Sequence, residues 1–467
     1  MPQFVKKTLI PAPPEEVFRW HARPGALERL SPPWDSVKLL ERRGGLEPGS
    51  RVTLSVGAGP LSRTWVAEHG PMSAGRMFSD RQLSGPFAHW DHVHRFEPSG
   101  DGCMLEDRIE YELPFGIIGR ALGSGFVRRK LESAFEYRHR VTASDIAAHL
   151  RCEGDKTMRI LITGASGLVG TELKNFLTAG GHEVKTLGRG ASADIQWNIE
   201  RGQLDADSLE GFDAVVHLAG ANVGERWTKK HRESILESRV QGTALLCRAL
   251  AKLKKKPQVL VCASAVGIYG DRGDEELDEH SSHGQGFLAS VCRSWESSCQ
   301  SAIEAGIRVV NARFGIVLSP RGGALKKLLL PFKLGLGTNL GSGRQFMSWV
   351  SIDDAIGAIH HALVTPTLSG PVNVTAPAPV TNREFTRTLG RVLFRPVLWF
   401  LPWAATALPL MLIMGEMAQE MLLGGSRVLP RKLETSGYKF RHPTLESALR
   451  HVLGRRGRVD VPATVMA

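Results

Sequence analysis

Two unlike domains are predicted, an α+β unit built on an antiparallel sheet followed by a doubly wound parallel α/β unit, and three observations predict them. Residues 1–145 carry apolar/polar runs of period two and close on a helical pattern. From Met158 onward a buried-type strand runs straight into a glycine-spaced turn and a helix, and further apolar strands follow it. Between the two, residues 146–157 are polar and short of large apolar side chains, as a linker is. A chain of 467 residues is long enough for more than one core.

In the first domain, Pro14 with Glu15 and Glu16 marks a helix start, because proline fits the first turn and carboxylates favour its positive end. Residues 50–56 and 88–96 alternate like strands with one wet face. Residues 126–141 return to helix, with Val127, Leu131, Ala134 and Phe135 on one side. Trp65, Phe78, Phe87 and Trp90 either fill a core or line a ligand cavity. His89, His92 and His94 share the second strand, but no fourth ligand stands at a fitting spacing; they are expected at the surface and no metal is expected. One helix, a sheet and a long closing helix, with the segment Pro86-Phe87-Ala88-His89-Trp90-Asp91-His92, resemble the helix-grip fold of the START-like, polyketide-cyclase-like (SRPBCC) superfamily. That resemblance implies an apolar ligand held between sheet and helix.

In the second domain the strand 158–162 precedes Thr163-Gly164-Ala165-Ser166-Gly167-Leu168-Val169-Gly170, and residues 171–178 continue as helix. Gly164 permits the tight turn, Gly167 lets the Ser166, Leu168 and Val169 backbone approach a pyrophosphate, and Gly170 allows close packing of helix on strand. A second strand, 182–187, ends at Gly188-Arg189, where an NAD-binding chain would present a carboxylate to the ribose. Arginine there favours a 2′-phosphate, so the cofactor expected on this Rossmann-type domain is NADP(H). A third strand places Leu218, Ala219 and Gly220 beside it.

The stretch Ser264-Ala265-Val266-Gly267-Ile268-Tyr269-Gly270, the turn Arg313-Phe314-Gly315 and the run Trp349-Val350-Ser351-Ile352-Asp353-Asp354 resemble landmarks of the extended short-chain dehydrogenases/reductases. Gly322-Gly323-Ala324-Leu325, residues 331–337, Gly341-Ser342-Gly343-Arg344-Gln345 and Gly415-Glu416-Met417 are similar to one subgroup, epimerase-family proteins of unknown substrate with a DUF1731-like end. The likeness spans 158–453, and the fused first domain departs from the subgroup's usual plan.

That resemblance implies a Tyr-x-x-x-Lys pair, yet counting from Ser264 places Phe287 and Val291 there, and Arg239 replaces the assisting asparagine. A phenyl ring has no proton to give and an isopropyl group no charge. The catalytic residues expected are therefore Ser264 and, as stand-in donor, Tyr269, for which a structural tyrosine lining the pocket is the alternative, with Asp271, His283 and Cys292 nearby in sequence. Arg239 and Ser264 are expected to touch the cofactor, and Trp295-Glu296 to pack a helix. Residues 311–453 are expected to form a small substrate lobe, with Arg313, Arg344, Gln345 and Trp349 meeting the substrate; for 341–345 a structural glycine loop is the equal alternative. Residues 454–467 read as a basic tail.

The net charge of +12 is dispersed in short groups such as Lys254-Lys255-Lys256 without interleaved aromatics, which argues against a nucleic-acid partner. Six scattered cysteines form no C-x-x-C pair and, with no secretory leader pattern, point to the cytoplasm. Residues 397–415 lack charge but carry Pro402 and Pro409, so buried or interfacial packing, with at most peripheral membrane contact, is expected over a span. The expected function is an NADP(H)-binding oxidoreductase or epimerase acting on an unknown small molecule. The alternatives are a non-catalytic NADP(H)-sensing regulator, tied to cell division as some relatives are, and an apolar-ligand carrier.

Overall fold

A computed structural model describes residues 1–57, 59–151, 157–398 and 403–455. The chain divides into two compact units, one centred on Met1–Asp155 and one on Lys156–Lys174 with His182–Val452.

The first unit is a seven-stranded antiparallel sheet with three helices. Its strands are β1 (Gln3–Ile10), β2 (Val37–Arg43), β3 (Arg51–Val56), β4 (Arg63–Ser73), β5 (Met77–Ser84), β6 (His89–Ser99) and β7 (Gly102–Glu112), paired in the order β1-β7-β6-β5-β4-β3-β2. Helices α1 (Pro14–Ala22) and α2 (Ala26–Leu30) follow β1, and α3 (Gly116–Leu150) closes the unit. Helix α1 starts at the predicted proline with Glu15 and Glu16 in its first turn. Leu131 and Phe135 of α3 pack with Phe4, Trp90, Ile109 and Tyr111, and Val127 and Ala134 flank them. Trp65 and Phe87 also pack edge-on or tilted against Trp90 at 5.0 and 4.8 Å, so these aromatics fill the interior with one another.

Two expectations for this unit are corrected. Helix α3 runs to Leu150 because Ile146 is drawn into the core with Ile10, Trp20 and Phe96, so the first residues of the expected linker 146–157 are helical; 152–156 lie outside the described residues. His92 and His94 are not at the surface: strand parity turns Trp90, His92, His94 and Phe96 inward, leaving 3% and 7% of the two imidazole residues exposed, while His89 faces the other way.

The second unit is an eight-stranded sheet. In chain order it uses β8 (Arg159–Thr163), β9 (Glu183–Gly188), β10 (Ile195–Asn198), β11 (Gln203–Leu204), β12 (Ala214–His217), β13 (Val259–Ala265), Arg308–Phe314 and Gly370–Val374. Their spatial order is β11-β10-β9-β8-β12-β13, then Arg308–Phe314 and Gly370–Val374, parallel except for β11. Helices α4 (Leu168–Ala179), α5 (Lys229–Lys252) and α6 (Phe287–Ser297) connect strands. The chain starts at β8 and winds outward to β9 on one side and β12 on the other, so a crevice opens between β8 and β12 at their carboxyl ends.

The expected substrate lobe 311–453 is smaller than the sequence suggested. Arg308–Phe314 and Gly370–Val374 belong to the main sheet, because their apolar side chains are buried on both faces. Outside that sheet stand short pairs such as Phe346–Met347 with Val380–Thr381, and the helix Asn382–Leu393, opened by a Thr381/Glu384 capping box. The apolar run near residue 400, expected to be buried or interfacial, is described only in part. Residues 399–402 lie outside the described residues, and in the helix Trp403–Met414 the side chains of Leu408, Met411 and Leu412 are exposed rather than buried. No helix among the described residues is long and apolar enough to cross a membrane. Of the basic tail, 456–467 lie outside the described residues.

Candidate functional site

The glycine loop takes the shape its spacing demands. Gly164 has φ +69°, and a Cβ on it would stand 2.7–2.9 Å from the Leu218–Ala219 backbone. On Gly170 a Cβ would fall 2.2 Å from the Gly164 carbonyl oxygen, so only glycine lets α4 start this close to the end of β8. The Gly167 amide donates to the Gly164 carbonyl at 3.0 Å, closing the turn, and Ser166 and Gly167 remain exposed at the mouth of α4. Leu168 and Val169 form that helix's first residues, with amides not yet bonded along it.

Strand register brings the other predicted cofactor residues to the same edge. Thr163 lies beside Leu187 on one side and His217 on the other, so Gly164, Gly188-Arg189 and Leu218-Ala219-Gly220 all emerge at neighbouring carboxyl ends. Arg189 is exposed and makes no ion pair among the described residues. Beneath the loop, Thr163 Oγ1 accepts from the Leu218 and Ala219 amides at 3.1 Å, and it meets His217 Nδ1 at 2.7 Å while His217 Nε2 meets Thr243 Oγ1 at 3.0 Å. Burial, with the Arg239 charge second, pushes the His217 imidazole down to about 4. Arg239 itself sits beside Gly220, but its Nη1 donates to the Ala221 and Ile235 carbonyls at 3.0 and 3.1 Å while the guanidinium covers the Trp295 ring at 4.8 Å.

The predicted catalytic and substrate residues divide differently. Ser264 ends β13, 3% exposed, and donates its hydroxyl hydrogen to Glu296 at 2.7 Å. Of the two roles expected for Tyr269 its surroundings match the structural one: it is fully buried, donates to Asn373 Oδ1 at 2.8 Å and accepts from Arg313 Nη1 at 2.9 Å. Burial raises its pKa in spite of the neighbouring Arg313 charge, so the phenol holds the interior together and offers no proton outward.

Arg313 is corrected. It is 2% exposed, grips Glu296 through two 2.8 Å bonds and donates from Nη1 to Tyr269, so it is enclosed by these partners. Trp349 is fully buried with its indole nitrogen on the Ala378 carbonyl, and Gln345 donates to the Leu340 and Leu422 carbonyls, so both shape the loop. Of the four, Arg344 is exposed and Gln345 half-buried.

Sequence reasoning missed Glu296, which joins Ser264 to Arg313. An arginine inside a buried strand requires a carboxylate, and Glu296 follows buried Cys292 by one helical turn. It also missed Glu420, whose two oxygens accept from the Phe287 and Leu288 amides at 2.8 and 2.9 Å and cap α6. Phe287, in the place of the usual phenol, meets Trp227 at 5.0 Å and lies under the Arg232 guanidinium at 4.3 Å. With Lys229, Glu233 and Leu236 they line an open groove of about 380 Å³. Val291 is buried.

Comparisons with known proteins agree with this layout. Residues 160–374 match the NAD dependent epimerase/dehydratase family, 405–452 a domain of unknown function (DUF1731), and 10–136 the polyketide cyclase / dehydrase and lipid transport family. Epimerase family protein Mb2239 of Mycobacterium bovis is 43% identical over 302 residues, 64% of this chain and 98% of the relative. A crystal structure of the nucleoside-diphosphate sugar epimerase from Corynebacterium glutamicum is 32% identical with a TM-score of 0.79, covering 97% of this chain and 90% of that one. The pairing of the two domains, expected to be a departure, therefore has a counterpart. A crystal structure of human epimerase family protein SDR39U1 with NADPH is 35% identical with a TM-score of 0.57, over 63% of this chain and 99% of that one.

Proposed function

The chain belongs to the NAD-dependent epimerase/dehydratase family, and from that premise we propose that it binds NADP(H) and performs oxidoreductase or epimerase chemistry on a small molecule. The observation that carries this reading is the pairing of the Gly164–Gly170 cradle with an exposed, uncommitted Arg189 on the neighbouring strand end. The Ser166–Val169 backbone and the start of α4 would hold the diphosphate, Arg189 the 2′-phosphate, and Leu218, Ala219 and Gly220 would floor the site. The human relative crystallised with NADPH supports the same choice of cofactor. When bound, a nicotinamide supplies hydride exchange.

The protein's own contribution is unusual. Glu296, clamped by Arg313, pins the Ser264 hydrogen, so Ser264 presents its lone pairs and orients a substrate hydroxyl rather than surrendering a proton. Phe287 and Trp227 give the groove an apolar, water-shedding wall where family enzymes place the phenol. The enclosure of Tyr269 favours one second reading, a cofactor-sensing protein without turnover.

The full chain titrated with NADPH and NADH, then incubated with metabolite pools while reduced-nicotinamide absorbance is followed, separates these readings. Preference for NADPH with oxidation by some pool supports the enzyme. Tight NADPH binding with neither net oxidation nor an epimerised product in any pool replaces it with the sensor, and failure to bind either nucleotide overturns both.

A further inference from the structure

The interior of the first unit holds a cluster that the NADP(H) reading does not use. Asp80 on β5 stands directly across from His92 on β6, and Asp107 on β7 directly across from His94. Directly opposed residues share a sheet face, and His92 and His94 are two apart, so all four side chains project to one side. That side is covered by α3, whose His139 reaches Asp107 Oδ2 at 2.6 Å and Thr8 Oγ1 at 2.8 Å.

The orientation of the two imidazoles is specific. His92 Nε2 is hydrogen-bonded to Asp107 Oδ1 at 2.8 Å, and His94 Nδ1 lies 2.6 Å from the same oxygen, so the Asp107 carboxylate stands against the outer nitrogen of each ring. The inner nitrogens, His92 Nδ1 and His94 Nε2, both turn to Asp80 Oδ2, at 3.4 and 3.6 Å. If each ring carries its hydrogen on the Asp107 side, the lone pairs of His92 Nδ1 and His94 Nε2 face the Asp80 carboxylate oxygen, which is repulsive unless a proton or a metal ion sits among them. Ligand atoms at ~2.0–2.2 Å from a tetrahedral zinc ion stand about 3.3–3.6 Å apart, which is the spacing of Asp80 Oδ2 from both nitrogens. A carboxylate behind the histidines that fixes their tautomer is the usual support of a metal site.

We propose that Asp80, His92 and His94 bind a divalent transition-metal ion, Zn²⁺ foremost, with Asp107 positioning both imidazoles from behind. Two nitrogens and one oxygen leave a fourth position open, as in sites where the ion meets water or a ligand. Phe78, stacked on His94 at 4.1 Å, and Phe135, edge-on to His92 at 5.4 Å, wall the two imidazoles, and Asp80, 19% exposed, marks the side from which an ion enters. The metal-free competitor is a single proton shared within the cluster.

The test uses the full chain without an affinity tag, stripped with chelator, loaded with Zn²⁺ or Co²⁺ and passed through gel filtration before metal analysis. Wild-type protein is expected to keep about one ion per chain and, with Co²⁺, to show the visible absorption of a four-coordinate site. Asp80→Asn and His94→Gln are expected to lose both the ion and the absorption. Should His94→Gln fail to fold, Asp80→Asn, which exchanges one carboxylate oxygen for an amide nitrogen, carries the test. Wild-type protein that keeps no ion, or variants that keep the same ion and spectrum, would overturn the site; the second result would move it to another cluster, such as Asp353, His442 and His451.

Discussion

Tyr269 shows how far a side chain's neighbours decide its chemistry. Near Ser264 in sequence it read as a stand-in acid, but a phenol that donates to Asn373 and accepts from Arg313 is a strut. Tyr269→Phe strands a buried amide oxygen and a guanidinium N–H, and is expected to cost about 1–3 kcal/mol in denaturant unfolding while leaving NADPH affinity unchanged. A fall in stability together with loss of any turnover by orders of magnitude would restore it as the acid. His217 supplies a second residue-scale prediction. Folded, it titrates near 4; unfolded, near ~6.5. Between those values the unfolded chain binds more protons, so this contribution is complete above ~6.5 and is lost as the pH falls through about 4, a swing on the order of 3 kcal/mol. Melting temperatures of wild type and His217→Gln, compared across that window, should show a shallower decline in the variant. At this scale the sequence was weakest, since Ser264–Glu296–Arg313 and Asp80–His92 are joined by strand register rather than by spacing along the chain. The histidine reading failed on parity alone, because His89 and His92 fall on opposite faces of β6.

Whole elements were more legible, because local backbone demands are written locally. The strand, turn and helix around Gly164 were read in place, and the structure shows why each glycine is needed. Gly164→Ala must accept both a left-handed backbone and an overlap with the Leu218–Ala219 backbone, so it is expected to weaken NADPH binding by at least about 100-fold. Gly202 provides the control: its φ is +62° with nothing within 4 Å of a new Cβ, so Gly202→Ala is expected to cost only about 1–2 kcal/mol of stability and no affinity. Parallel titrations and melts of the two variants check this. Helix α6 teaches the converse. Its N-terminus is capped from 133 residues away, which no local pattern announces. Glu420→Ala is expected to destabilise the unit by about 0.5–2 kcal/mol, measured by denaturant unfolding.

On the scale of the molecule, the two fold classes followed from periodicity together with the glycine-spaced turn after the first strand of the second unit, since an antiparallel sheet with one buried face and a parallel sheet buried on both leave different patterns. What periodicity could not convey was where the second unit's sheet ends. Residues 311–314 and 370–374 were expected in a separate lobe, yet hydrogen bonding places Arg308–Phe314 and Gly370–Val374 in the main sheet. That eight-stranded sheet sets the neighbouring strand ends on which the functional reading depends. Calorimetric titration of the full chain and its Arg189→Ala variant with NADPH and NADH tests that reading most directly. NADPH affinity is expected to fall about 10- to 100-fold in the variant with NADH affinity unchanged, the loss of one charge-assisted phosphate contact. Equal weakening of both nucleotides, or no change in either, would contradict it.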